Sequence, residues 1–171
     1  GKHERADDIV RMEEKVNTLF KAVRSYAVVL TRKGLDEAEQ RKVTALLRYT
    51  ASLENAGDVI CKTMLGIPES MKKAGKQFSE EGKSELDVLF RYLIGTTQLS
   101  AEVIMAWHPD TATVLIQRKR QLKAMCHDSS RRHFARLSQG LSAAMGSSSA
   151  HLDLISDVRW LSTQISSVAY D

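Results

Sequence analysis

The sequence predicts an all-α protein folded as an antiparallel helix bundle, and three observations lead to this class. The 171 residues include only 9 glycines and 2 prolines, too few for the many tight turns of a β-sandwich or barrel. Apolar residues recur at alternating intervals of three and four, which places them on one face of a helix. Hydrophobic residues make up 43% and charged residues 27%, a balance typical of a globular domain with a buried core.

The first predicted helix carries a long apolar stripe and is closed by a glycine. Gly34 follows the stripe, in the position where many helices end in the left-handed conformation that glycine adopts readily. Asp36 then precedes Glu39 by three residues, the spacing of a capping box that starts a second helix. The stripe of the first helix consists of Ile9, Met12, Val16, Leu19, Val23, Tyr26 and Leu30.

The second predicted helix has an apolar stripe over residues 43–64. Gly66-Ile67-Pro68 combines two strong helix breakers, so the helix is predicted to stop there. Residues 68–78 are polar and rich in lysine, and we interpret them as a connector.

Three more helices are predicted after this connector. Ser79 is a suitable N-cap for the third, with two glutamates in the first turn that favour the helix dipole. Pro109-Asp110 ends that helix, and the fourth is predicted over residues 111–145. The turn Gly146-Ser147-Ser148-Ser149 follows, with its last serine as the cap of the fifth helix. The prediction is therefore a bundle of five helices.

Two internal similarities predict a duplicated architecture. Leu53–Val59 in the second helix resembles Leu152–Val158 in the fifth at an offset of 99 residues. The first and fourth helices align at an offset of 106, pairing Val16 with Leu122 and Leu19 with Met125. The third helix has no counterpart, because that position would lie before residue 1. The chain is thus predicted to contain two three-helix repeats, the first without its first helix.

This architecture divides the chain into residues 1–67 as the truncated repeat, 68–78 as the connector and 79–171 as the complete repeat. A repeat that lacks one helix leaves an apolar face uncovered, and such faces usually contact a partner. Self-association, or docking onto the missing segment, is therefore expected.

Two pairs of acidic residues are the candidate metal ligands. Glu54 with Asp58, and Asp153 with Asp157, lie four residues apart, so each pair shares one helix face. Like charges at this spacing repel, and a hard cation bound by the carboxylates would offset the repulsion. A solvent-exposed acidic face remains the alternative for both pairs.

The neighbouring helices predict an asymmetry between the two pairs. Arg118, Lys119 and Arg120 lie in the matching region of the fourth helix and would repel a cation from the second pair. The first pair is therefore predicted to bind a divalent or ferric ion and the second to bind it poorly. The first helix offers the first pair four more acids: Asp7, Asp8, Glu13 and Glu14.

The fourth helix also carries a basic surface. Such a helix can follow nucleic-acid phosphates or lie against anionic lipid headgroups, and a solvated basic face is the third interpretation. The candidate residues are Arg118, Lys119, Arg120, Lys123, Arg131, Arg132 and Arg136.

The sequence lacks the signatures of an enzyme. None of the five histidines follows a glutamate by three residues, as a ferritin-like di-iron site requires, and no glycine-rich phosphate loop is present. Cys61 and Cys126 are too few for a disulfide framework and are interpreted as reduced thiols. No apolar run is long enough for a membrane span. The chain begins with glycine, and we expect it to be part of a longer protein.

The two acid motifs resemble those of a known family. Leu53-Glu54-Asn55-Ala56-Gly57-Asp58 and Leu152-Asp153-Leu154-Ile155-Ser156-Asp157 are similar to the twin E(D)-x-x-x-D motifs of PhoU-like proteins. Arg131–Leu137 resembles the end of a middle helix in the version fused to sodium/phosphate cotransporters. The chain departs from the family at Asn55 and Leu154, where arginine is usual, and at Val158, where histidine is frequent.

This resemblance implies a function and a location. It implies two PhoU-like three-helix repeats, with iron or zinc as the metal at Glu54, Asp58, Asp153 and Asp157. It further implies a cytosolic regulatory domain that modulates phosphate uptake by a sodium-dependent phosphate transporter. Such a domain would lie at the cytoplasmic face of the bacterial inner membrane, as part of a longer membrane protein.

The expected partners are the membrane domain of the same parent chain, a second copy in a homodimer, and an anionic membrane surface. A free-standing PhoU-like regulator of phosphate signalling, acting by protein contacts, is the main alternative. A basic helical domain that binds nucleic acid is the less favoured one.

Overall fold

The structure is a computed structural model that describes residues 2–140 and 145–170. Within these ranges it is almost entirely helical and contains no β-strand, so the predicted all-α class is confirmed. Five long helices account for most of the chain, and one short helix lies between the second and third of them. In chain order they are α1 (Lys2–Thr31), α2 (Glu37–Val59), α3 (Gly66–Lys73), α4 (Glu80–Ala106), α5 (Pro109–Ser138) and α6 (Ser148–Ile165).

The predicted helix boundaries near Gly34, Asp36 and Ser79 are confirmed. Gly34 has a φ of +76°, in the left-handed region that glycine favours. The Glu39 amide donates to Asp36 Oδ1 at 2.8 Å, and the Asp36 amide donates to Glu39 Oε2 at 3.0 Å, which completes the capping box. Ser79 Oγ accepts a hydrogen bond from the Gly82 amide at 3.1 Å. These contacts satisfy helix N–H groups that have no partner within the helix.

The predicted stop at Gly66-Ile67-Pro68 is wrong. The second helical run continues through a π-helical turn at Ile60–Met64 and then into α3. Pro68 lies in the first turn of α3, where a missing N–H removes no intrahelical hydrogen bond. Met71 of α3 is buried, so packing against the bundle stabilises this short helix. The non-helical part of the predicted connector is therefore confined to residues 74–78.

The region around the last turn also differs from the prediction. Helix α5 ends at Ser138 rather than near residue 145, and residues 141–144 lie outside the described part of the chain. Helix α6 begins at Ser148, so Ser149 is in its first turn and is not its cap. The Ser149 hydroxyl instead donates to Asp153 Oδ2 at 3.2 Å.

The packing of the helices is uneven along the chain. Helices α4, α5 and α6 pack against one another pairwise, α2 packs on α6, and α1 packs mainly on α2. The continuous apolar core therefore lies between α4, α5 and α6, with one face of α2 closing it. Its buried residues are Ala56, Leu86, Leu89, Leu93, Leu122, Cys126, Leu154, Ile155, Val158, Leu161 and Ile165.

Two adjacent residues of α4 test this packing. Leu93 is 7% exposed within the core, whereas Ile94 is 58% exposed. We expect Leu93→Ala to lower the free energy of unfolding by about 2–5 kcal/mol, because it leaves a cavity. Ile94→Ala should change it by less than about 0.5 kcal/mol. Urea unfolding followed by circular dichroism measures both, and equal losses would contradict the assigned core face of α4.

Candidate functional site

The first acid pair lies on α2 beside α1. Glu54 and Asp58 are both half-buried, and Gly57 between them faces Glu13 of α1. A Cβ atom added at Gly57 would lie 3.5 Å from Glu13 Cγ, an ordinary van der Waals distance. Helix α1 therefore passes alongside this glycine but leaves room for a methyl group.

A lysine of the chain itself offsets part of the negative charge of the first pair. Lys62 Nζ donates to Asp58 Oδ2 at 2.7 Å, one turn further along the helical run. This hydrogen bond raises the pKa of Lys62, and the charges of Glu13 and Glu54 act in the same direction. Three carboxylates therefore attract the ammonium of Lys62. This ammonium takes the place of the metal ion that the sequence pattern predicts. Of the four acids that α1 offers, the charge of Glu13 acts on Lys62, whereas Asp8 pairs with Arg11.

The second acid pair is more exposed than the first, and its negative charge is offset less by neighbouring positive charges. Asp153 is exposed, while Asp157 is half-buried and its Oδ2 atom is buried with no hydrogen-bond partner among the described residues. Burial raises the pKa of Asp157, and the neighbouring Asp153 raises it further. Two bases that were expected to repel a cation here are engaged elsewhere. The Arg118 guanidinium lies 4.2 Å from the Tyr92 ring centroid, and Lys119 Nζ lies 4.7 Å from that of Tyr170.

Neither acid pair forms a complete metal centre by itself. Among the side chains that the structure describes, no group of three or more His, Cys, Asp or Glu residues has the geometry to hold a metal ion. Two carboxylates supply at most four oxygens, whereas Ca²⁺ takes six to eight oxygen ligands and Mg²⁺ six. A cation at either pair would need water or a partner molecule to complete its ligands.

The basic residues of α5 are mostly committed to contacts within the chain. Arg131 and Arg132 each lie 2.7 Å from Asp128, and Arg136 binds Glu85. The Arg136 side chain is only 13% exposed, so it does not belong to an exposed basic surface as predicted. In the described structure, two exposed members of the set have neither an ion pair nor a cation–π contact: Arg120 and Lys123.

Sequence reasoning missed a buried polar cluster at one end of the α4–α5–α6 unit. Its centre is Glu85 of α4, whose side chain is 11% exposed. Arg136 donates two hydrogen bonds to the Glu85 carboxylate, both at 2.8 Å, and Arg132 Nε donates one at 3.0 Å. The Ser129 hydroxyl donates another at 3.2 Å. Burial disfavours the Glu85 carboxylate, but these hydrogen bonds and charges outweigh it and hold the pKa of Glu85 below its ordinary value.

Two stacked histidines extend this cluster into α6. The rings of His133 and His151 have centroids 4.6 Å apart at an angle of 17°. The nitrogen Nε2 of His133 lies 2.9 Å from Ser148 Oγ, and Nε2 of His151 lies 3.5 Å from Glu85 Oε2. Burial and the adjacent His133 lower the pKa of His151 to about 4, although Glu85 opposes them. Burial and Arg136 also lower the pKa of His133.

The cluster was not predicted from the sequence, because its residues are far apart along the chain. Residue 85 lies on α4, residues 129–136 on α5 and residue 151 on α6, and only packing unites them. The Arg131–Leu137 segment was the one available signal, since it contributes three members. Gly82 helps to bring α4 close to α6, because a Cβ atom there would lie 3.3 Å from His151 Nδ1.

Neither thiol of the chain is activated. Burial raises the pKa of Cys126 to about 11. Partial burial also raises the pKa of Cys61, and the charges of Glu13 and Asp58 raise it further. Both cysteines are therefore protonated at neutral pH, and thiols react as nucleophiles only in the thiolate form.

The comparisons with known proteins point to one family. The model of the PhoU domain matches residues 1–64. A protein of Salmonella typhimurium named YjbB, for which inorganic phosphate export is proposed, is 29% identical over 160 residues. That match covers 94% of this chain and 30% of the relative. YjbB of Escherichia coli K12 is 26% identical over 170 residues, covering 99% of this chain and 31% of the relative.

The chain therefore spans about three tenths of the length of the curated relatives it matches. No solved structure matches it significantly. Over the described residues, none of the helices combines the length and the apolar character that a membrane crossing requires. The resemblance to PhoU-like proteins is confirmed.

The histidine stack predicts a loss of stability in mild acid. The pKa of His151 is about 4 in the folded protein and about 6.5 in an unfolded chain, so the unfolded state binds the proton first as the pH falls. The free energy of unfolding should therefore fall by about 1.4 kcal/mol per pH unit between these two values. Glu85 adds a further loss at lower pH, as the pH falls through its depressed pKa.

His151→Gln should weaken this dependence between pH 6.5 and about 4.5. Exposed His127 supplies the matched control, since His127→Gln removes an imidazole outside the cluster. Urea titrations at several pH values measure the slopes. If the parent protein and His151→Gln lose stability equally, burial of a neutral His151 is wrong.

Proposed function

We propose that this chain is a regulatory domain that controls phosphate transport across a bacterial membrane through protein contacts. The proposal starts from its resemblance to PhoU-like proteins and from the match to YjbB, which covers almost the whole of this chain. We further propose that it is part of a longer transport protein of the sodium/phosphate type. The relatives support a longer parent protein, because seven tenths of their length lies outside the match. The sodium/phosphate type rests on the family resemblance alone. In this proposal the domain lies at the cytoplasmic face of the inner membrane and modulates phosphate movement without catalysing a reaction.

One observation carries the proposed contact role. Helix α1 exposes Met12, Leu19 and Tyr26 by 62%, 64% and 63%, and these residues are spaced seven apart on one face. A row of large apolar side chains in water is costly, and such rows usually mark a protein interaction surface. The buried Glu85 cluster and the protonated thiols are consistent with a domain that binds rather than catalyses.

A free-standing PhoU-like regulator of phosphate signalling is the second candidate. The PhoU domain match over residues 1–64 supports it more directly than the transporter fusion, because the match concerns the domain and not its attachment to a transporter. Nucleic acid and anionic lipid are weaker candidates as partners, since Arg120 and Lys123 alone of the predicted basic surface lack an intramolecular charge or ring partner in the described structure.

Phosphate flux in cells tests the proposed function. Deleting residues 1–171 from the protein that contains them should change the rate of radioactive phosphate release or uptake. A coupling of ordinary regulatory size would change it about fivefold or more. His127→Gln in the intact protein is the control for expression. Unchanged flux with normal protein levels would overturn the proposal. If the chain proves to be encoded alone, an effect of deleting its gene on phosphate flux would select the free-standing regulator.

We also propose that a divalent or ferric ion, zinc or iron by family resemblance, binds weakly at Glu54 and Asp58. Binding competes with Lys62, whose ammonium already interacts with this pair. The first pair is favoured over Asp153 and Asp157 because Glu13 adds a further negative charge near it, without the geometry of a third ligand.

Thermal melting with increasing zinc tests this metal proposal. An ion that binds only the folded state raises the melting temperature, so the parent protein should show a small rise. Lys62→Met should show a larger one, because it removes the competing cation. Glu54→Ala/Asp58→Ala should show none, whereas Asp153→Ala/Asp157→Ala should behave like the parent. The same response in all four proteins would contradict the assignment.

A further inference from the structure

The corner between α4 and α5 contains a strained backbone position. Trp107 has a φ of 52° and a ψ of 37°, and in the described part of the chain no other non-glycine residue has a positive φ. A bulky residue is a rare outlier in this left-handed conformation, because its Cβ atom crowds the following carbonyl oxygen. Glycine is the usual residue at such a helix end. The chain therefore carries an indole where glycine would relieve the strain, and strain of this kind is often found at functional sites.

The corner is short and well hydrogen-bonded. The Trp107 amide donates to the Val103 carbonyl at 2.9 Å, and the Ala112 amide donates to the His108 carbonyl at 3.2 Å. His108 is extended, as expected of a residue that precedes proline, and Pro109 begins α5. Only two residues therefore join the helices, and they hold the indole at one defined place.

Three large apolar side chains of the corner are exposed. Met105 is 74% exposed, more than any other large apolar residue of the described structure, while Val114 and Trp107 are 46% and 39% exposed. Val103 and Leu115 are buried at the same level, so the core beneath the corner is closed without these three side chains. Tryptophan and methionine are enriched in protein interfaces. The corner thus has the composition of a contact surface.

The charges of the corner are negative, in contrast to the rest of the chain. Residues 92–117 contain no lysine or arginine, the longest such run in a chain that has 25 of them. Glu102 and Asp110 are the acids of this run, and both are exposed. Glu102 precedes Met105 by three residues, and Asp110 precedes Val114 by four, so each acid shares a helix face with an exposed apolar side chain.

We propose that the α4–α5 corner is the docking surface for a lysine- and arginine-rich cytoplasmic segment of a phosphate transporter. The proposal deepens the proposed function, on which it rests, by naming the surface and the chemistry of the partner. Cytoplasmic loops of membrane proteins carry an excess of lysine and arginine. The chain as a whole has a net charge of +4, which opposes contact with such a segment. At the corner, Glu102 and Asp110 attract it, and Met105, Trp107 and Val114 provide apolar contact.

Two other occupants fit the corner less well. Anionic lipid headgroups would be repelled by Glu102 and Asp110. A second copy of the chain would bring the same two acids to a two-fold symmetric contact, where like charges oppose each other. A basic segment of a different polypeptide region avoids both repulsions.

Trp107→Gly separates docking from folding. Glycine adopts the left-handed conformation without strain, so we expect the melting temperature to stay the same or to rise. Affinity for a basic segment should nevertheless fall about tenfold or more, because the indole is the largest exposed side chain of the corner. A lower melting temperature would show that Trp107 is retained for packing, and would overturn the proposal.

Binding of a synthetic peptide tests the charge of the partner. The probe is an amphipathic helix of leucine and lysine, and its counterpart contains glutamate in place of lysine. Trp160→Phe leaves Trp107 as the single indole, whose fluorescence reports on the corner. We expect saturable binding of the lysine peptide, with a shift of the emission to shorter wavelength as the indole leaves water. The glutamate peptide should produce no shift.

Matched variants locate the binding surface in calorimetry with the lysine peptide. Glu102→Gln/Asp110→Asn should weaken binding about threefold or more. Asp7→Asn/Glu14→Gln is its control, because it makes the same change of net charge on α1. Phe134→Ala is the control for Trp107→Gly, since it removes an exposed aromatic ring far from the corner in the sequence.

Three results would overturn the proposal. One is peptide binding that Trp107→Gly leaves unchanged. Another is a preference for vesicles of equal parts phosphatidylcholine and phosphatidylglycerol over the peptide, which would assign the corner to lipid. The third is a dimer in sedimentation that Trp107→Gly dissociates, which would assign it to a second copy. The phosphate-flux experiment is independent, because a domain that controls flux through another surface would pass that test and fail this one.

Discussion

A helix with a broad apolar stripe is buried only when other helices lie on both of its sides, and this constraint organises the structure. Helix α5 meets it, since α4 and α6 enclose Leu115 and Leu122 completely. Helix α1 has nearly the same pattern of apolar residues but one principal neighbour. The same apolar spacing therefore gives completely buried residues on α5 and partly exposed residues on α1. The difference lies in the number of neighbouring helices and not in the apolar spacing.

The complete three-helix unit is fixed at one end by a buried carboxylate. Removing Glu85 from water costs several kcal/mol, and the paired hydrogen bonds from Arg136 offset that cost. The charges favour the observed register of α4 against α5, because a shift that separates Glu85 from Arg136 leaves two nearly buried charges without this contact. The stacked histidines tie α6 into the same arrangement. Apolar packing forms the core of this unit, and the polar cluster favours the observed register.

The two acid pairs show how a family motif depends on its surroundings. Both pairs have the same spacing, yet Asp58 is paired with Lys62 and Asp157 has a buried oxygen with no partner in the described structure. The lysine lies four residues after Asp58, an interval that places both side chains on the same face of the helical run. An internal ammonium and a bound metal ion are alternative solutions to the same electrostatic repulsion. The motif alone therefore does not determine which of them the protein uses.

The sequence by itself determined the helical class, the capped starts at Asp36 and Ser79, and the end of the first helix at Gly34. Each of these depends on hydrogen bonds or backbone conformations within about four residues, and such interactions are readable from spacing. Helix α3 was missed because Pro68 is harmless in a first turn, and burial of Met71 decides the outcome. Only the tertiary structure brought Glu85, Arg136 and His151 together, since they come from three helices. Their contacts depend on how α4, α5 and α6 pack, and apolar spacing along a helix sets its buried face but not its partner or register.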